Sequence, residues 1–192
     1  MNWGNGLPDE LRRIIVRHLS PVLLGCKPGA LFTVPAAGCA VLADLLPRRL
    51  SLTALRYGEN GTLVFVFDGE ELEKTIASAA AGAVLAGLGY PAGAPVLSVV
   101  AHLKKRFAGG AFPHEIGLFL GYPVDDVLGF VEHKGRNYKL CGYWKVYGDV
   151  ERAKLCFRRY DMCSRRLRAV MRSAVKDGDL SAVSRRVSPS IW

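Results

Sequence analysis

A hairpin signal at residues 51–68, SLTALRYGENGTLVFVFD, constrains the fold of this chain more than any other feature. Asn60-Gly61 between two β-rich runs is a tight-turn signature, because a short reversal needs a residue that accepts positive φ. The second run, LVFVF, is apolar at every position instead of alternating. That pattern belongs to a strand buried on both faces or central in a sheet. The rest of the chain must build a sheet around residues 63–67.

The flanking segments predict the remaining elements. Pro8 followed by DELRRIIVRHL reads as an amphipathic helix from Asp9 that ends by Ser20-Pro21. Gly25 and the Lys27-Pro28-Gly29 turn lead into a short strand at 30–34, and a helix at 36–46 is stopped by Pro47. Helices are expected at 70–88, 94–107, 113–120 and 123–134, then a strand at 140–147 and a long helix at 149–175. In that last helix Val150, Ala153, Phe157, Tyr160, Leu167, Met171 and Ala174 keep helical spacing, with Cys156, Cys163 and Val170 on one flank. The order matches an α+β fold: a ferredoxin-like βαββαβ core with a mostly antiparallel four-stranded sheet. Helices would cover one face, with extra helices inserted between strands three and four and a long C-terminal helix. Residues 1–176 are expected to form a single domain, and 177–192 a polar, flexible tail.

The charge is uneven. Of a net +9, residues 134–192 carry 15 Lys and Arg against 5 Asp and Glu, whereas residues 1–133 are close to neutral. Such a patch attracts nucleic acid or an acidic partner, but it is also the solvated outer face of a cationic helix. Residues 75–101 are uncharged and long enough to span a bilayer. Gly87, Gly89, Pro91, Gly93 and Pro95 interrupt them, so two buried helices fit better than a membrane span, and no membrane partner is expected. The first residues have no basic start followed by an apolar run, which predicts a cytoplasmic protein. The five cysteines include no C-x-x-C pair and are expected as reduced thiols. Cys156 and Cys163 are too far apart along one helix to bond to each other.

Candidate chemistry concentrates in 112–147. His114-Glu115 starts like a zinc-protease motif, but Leu118 stands where the second His is required, so no metal site is expected. Residues 114–134 resemble a helix-turn-helix, yet the second helix would expose Asp125, Asp126, Gly129 and Glu132, which repel phosphate. In a strand over 140–147, Tyr143, Lys145 and Tyr147 share one face, a platform for an anion or a planar ligand. Cys26 beside Lys27 is a further reactive candidate. Leu-Gly-Tyr-Pro occurs at both 88–91 and 120–123, the same helix-break solution used twice.

The runs FPHEIGLFLGYPVDDVLGFVEHKG and YKLCGYWKVYGD resemble the signature of an uncharacterised bacterial family, a domain of unknown function of anaerobic Gram-positive bacteria. RHLSPVLLGCKPGALF is similar to that family's N-terminal His-Cys-Ala/Ser-Pro…Gly-x-Lys…Leu-Phe pattern, except that Leu19 replaces the Cys. The matched parts cover about residues 14–32 and 112–163. The resemblance implies a cytoplasmic α+β domain and brings no established activity or cofactor. Residues that match the signature and could serve a site are His18, Lys27, His114, Glu115, Tyr122, Lys145 and Tyr147. The expectation is a domain that binds a small molecule or cofactor between the 112–126 region and Lys145, with enzymatic activity open. The alternative is a nucleic-acid or acidic-partner module using the basic C-terminal helix.

Overall fold

The computed structural model describes residues 9–177; of the tail expected at 177–192, Asp177 ends the last helix and the remainder lies outside the described residues. Asp9–Ile14 (α1) continues through a π-helical stretch, Ile15–Leu19, into Ser20–Leu23 (α2). The helix therefore does not stop at Pro21. A buried Ser20 hydroxyl donates to the Val16 carbonyl, satisfying an acceptor near the position where proline brings no N–H.

β1 (Gly29–Val34), α3 (Gly38–Leu45), β2 (Leu50–Gly58) and β3 (Gly61–Asp68) follow. The sheet order is β1-β3-β2, with β3 antiparallel to both neighbours. This is a split β-α-β unit in a three-stranded antiparallel sheet. The hairpin turns at Glu59-Asn60, with Gly61 at φ +119°. β3 is central, as the LVFVF run requires. Val64 and Val66 face one side and Phe65 and Phe67 the other, and all four are fully buried. Each removes enough apolar surface from water to contribute roughly 2 kcal/mol.

Two expectations are corrected here. The fourth strand does not join the sheet. The chain reverses over 142–144, leaving a small separate ribbon of β4 (Leu140–Cys141) and β5 (Lys145–Val146). Gly142 N–H donates to the Trp144 carbonyl across that reversal (3.0 Å), so Tyr143, Lys145 and Tyr147 do not share one strand face. Helices also cover both faces of the sheet, not one. The Val64/Val66 face packs on the α1-to-α2 helix, α3 and the C-terminal helix, α9 (Val150–Asp177). The Phe65/Phe67 face packs on α4 (Gly69–Ile76), α5 (Ala79–Gly87), α6 (Val96–Ala108), α7 (Ile116–Phe119) and α8 (Val124–Glu132).

The helix expected at 70–88 is broken at Ser78. α5 is not buried as a whole: Ala81 and Leu85 point inward, while Ala79, Ala80 and Ala86 face solvent at little cost because a methyl exposes little area. No described helix is long and apolar enough to cross a membrane. α7 is a single turn, and α8 buries Asp126 and Gly129 while exposing Leu128 and Val131. The expected exposed face of a recognition helix is thus partly internal. A Cβ at Gly117 would come within 2.7 Å of Val127 Cγ2, so this glycine is what lets α7 and α8 meet closely.

Candidate functional site

Three of the residues singled out from sequence, His18, Lys27 and Tyr122, line one cleft of about 1420 Å³. Its walls are the π-helical stretch, the turn at 25–28, the tip of the β4-β5 ribbon and α9. Two glycines bring these walls together. Gly121 sits at φ +76°, and a Cβ there would lie 2.6 Å from Pro28 Cδ, so the Lys27-Pro28 turn rests directly on the α7-α8 junction. A Cβ at Gly142 would collide with the Phe157 ring, so the ribbon tip lies flat on α9.

The aromatic wall is locked from behind by Asp126. Its carboxylate is buried and accepts from Trp144 Nε1 (2.6 Å), Tyr147 N (2.7 Å) and Gly148 N (2.8 Å). Trp144 held in this way stacks on Tyr122 (4.8 Å between ring centroids) and meets Phe157 edge-on. Charge-assisted bonds of this kind are about twice as strong as neutral ones.

Lys27 Nζ lies 4.9 Å from the centre of the Tyr122 ring and 5.9 Å from that of Tyr160. Lys27 has no hydrogen bond or ion pair among the described residues. Burial lowers its pKa to about 8, from the usual lysine value of 10.5. Burial, then the charges of Arg17 and Lys27, lower the pKa of His18, so its imidazole is neutral at pH 7. That ring stacks on Phe32 at 5.4 Å. Burial pushes Tyr122 up to about 12 and raises Tyr160 as well. Tyr143 is pushed up to about 12, first by burial and then by donating to Asp161 Oδ1 at 2.8 Å. Arg12, Arg13, Arg17, Arg168 and Arg172 also border the cleft, whereas Asp161 is the one carboxylate among its described lining residues.

The other candidates lie elsewhere and have partners. Glu115 is buried, accepts from Tyr90 Oη at 3.0 Å and pairs with Arg106 Nε. His114 is exposed and leans on Phe112 and Phe130. Lys145 Nζ donates to the Gly135 carbonyl (2.6 Å) and lies over the Tyr138 ring. Tyr147 stacks on His133. Leu19, where the resembled pattern has Cys, is fully buried in the core.

Sequence reasoning missed Asp126, which it read as an exposed acid. It also read Tyr160 as core only, and Trp144 as one more strand residue. The usable signal was the apolar neighbour Val127 beside a tryptophan-bearing turn, since a buried indole N–H needs an acceptor. Among the described residues no group of three or more His, Cys, Asp or Glu is arranged to hold a metal ion.

A family model described as "Protein of unknown function (DUF3793)" matches residues 15–180. The chain belongs to that family. No curated protein and no solved structure matches it.

Proposed function

We propose that the cleft binds a small anionic molecule with a planar part, a substrate or cofactor, through Lys27, His18 and Tyr122. The observation that carries this reading is Lys27: a desolvated ammonium between two tyrosine faces, with no carboxylate to answer it. A half-buried charge without a carboxylate partner is destabilising, and a ligand phosphate or carboxylate offsets that cost when it arrives. The arginines at the border attract an anion, and the tyrosines offer a surface for a ring to stack on. Neutral His18 supplies a group able to accept a proton and the Lys27 ammonium one able to give a proton up, which is what an enzyme acting on such a ligand needs. In this reading His114, Glu115, Lys145 and Tyr147 hold the frame. Lys145 is spoken for by a backbone carbonyl and Glu115 by Arg106.

Titration calorimetry with AMP and with inorganic phosphate tests it. Lys27→Met is expected to weaken AMP binding by about tenfold or more, since a charge-assisted bond contributes about 1.5–3 kcal/mol. Lys145→Ala is expected to leave it unchanged. Equal affinities in wild type and Lys27→Met would overturn the reading. The exposed Arg158 and Arg165 of α9 favour a second reading, nucleic-acid binding. Duplex DNA held by many phosphate contacts would lose roughly a thousandfold or more in affinity between 50 and 200 mM salt, whereas AMP with one phosphate would lose little.

A further inference from the structure

We propose that Cys26 and Cys163 are a redox-active thiol pair, which a low-molecular-weight disulfide converts into an intramolecular disulfide that fastens the turn carrying Lys27 to α9. The two residues are 137 positions apart in the chain, yet their sulfur atoms lie 3.3 Å apart, with Cys163 Sγ donating to Cys26 Sγ. Neither residue lines the cleft, so the inference holds whether or not the cleft takes an anion. Both partners are held in position. Cys26 N–H donates to the Pro21 carbonyl (2.7 Å), closing the turn after α2, and Cys163 sits in the buried stripe of α9.

The two thiols differ in access. Cys26 is half-buried, whereas Cys163 is 1% exposed, so a reagent arrives at Cys26. The hydrogen bond to Cys26, and then burial, raise the Cys163 pKa well above the usual thiol value, with Arg159 opposing. Cys163 is therefore the resolving partner and not the first nucleophile.

The chemistry balances in two exchanges. The Cys26 thiolate, having released its proton to solvent, attacks one sulfur of the external disulfide. A Cys26–S–S–R bond forms and one R–S⁻ leaves, taking up a proton. Cys163 then attacks Cys26 Sγ, its own proton passing to the second departing R–S⁻. The protein pair loses two electrons, and the external disulfide gains them as two R–SH molecules.

The test uses the full chain treated with glutathione disulfide at about pH 8, quenched by alkylation and mapped by peptide mass spectrometry. The expected product is a cross-linked pair of peptides containing Cys26 and Cys163. Its thermal midpoint should exceed that of the reduced protein by roughly 5 °C or more. A Cys163→Ser chain should instead accumulate glutathione on Cys26, because nothing resolves the mixed disulfide. Wild-type mapping decides the matter even if that variant folds poorly. Glutathione only on exposed Cys141 or on Cys39, or a cross-link joining Cys26 to neighbouring Cys156, would overturn the proposal.

Discussion

The two Leu-Gly-Tyr-Pro junctions, at 88–91 and 120–123, have the same backbone and opposite uses. In the first, Gly89 is at φ +82°, Gly89 N–H donates to the Ala86 carbonyl and Tyr90 N–H to the Leu85 carbonyl. In the second, Gly121 is at φ +76°, Gly121 N–H donates to Leu118 and Tyr122 N–H to Gly117. Both are Schellman-type ends, in which a left-handed glycine lets the next N–H groups reach the last free carbonyls. The tyrosines then diverge. Tyr90 is buried, packs on His102 and Phe119, and gives its hydroxyl to Glu115. Burial, then the Glu115 charge, raise its pKa, so it stays a proton donor. Tyr122 meets Trp144 on its ring and a lysine with no acid beside it. One junction closes a polar network; the other leaves a cation open to a ligand.

The glycines sharpen that contrast most. Nothing lies within 4 Å of a Cβ added at Gly89, whereas one at Gly121 meets Pro28. Gly89→Ala is expected to cost about 1 kcal/mol, the left-handed backbone term alone. Gly121→Ala adds a steric clash and should cost about 3 kcal/mol, moving the Lys27 turn as well. Chemical denaturation of both variants measures the gap, and equal losses would mean that the Pro28 contact carries no weight.

Lys27→Met comes next in size. Removing a desolvated charge should stabilise the ligand-free protein by about 2 kcal/mol at pH 7 while weakening anion binding. The sign follows from the lowered pKa. In the folded state Lys27 releases its proton near pH 8, and in the unfolded chain near 10.5. Between those values the unfolded state holds more protons, so wild-type stability rises relative to the variant. The advantage of Met is full below about pH 8 and gone by about pH 10.5. Denaturation curves at several pH values check it, and a pH-independent difference would show that Lys27 titrates normally.

The smallest effect is on the hydroxyls. Tyr90→Phe takes a donor from buried Glu115 and should cost about 1 kcal/mol. Tyr122→Phe loses only a long 3.4 Å contact to the Tyr143 carbonyl and should change stability by less than about 0.5 kcal/mol. Equal thermal shifts in the two variants would erase the distinction between the junctions.

Much of this was legible residue by residue. LVFVF identified the central strand, Asn60-Gly61 its turn, and the spacing of Ala153, Tyr160, Leu167 and Met171 the inner face of α9. The segment at 140–147 was not legible. Its residues are good strand formers, but Gly142 fits against Phe157 and Asp126 takes the Trp144 N–H, and those contacts fold the segment back on itself. Likewise Asp126 reads as an exposed acid until the indole and two backbone N–H groups converge on it.

By itself the sequence determined the local backbone: the hairpin, both glycine-ended helix junctions and the amphipathic stripe of α9. These follow from φ preferences and side-chain periodicity within a few residues. The tertiary structure alone decided which side chains meet. It laid Pro28 on Gly121, left Lys27 between two tyrosines without a carboxylate, and brought Cys26 to Cys163. Charge balance and desolvation depend on neighbours distant in the chain, and no local pattern encodes them.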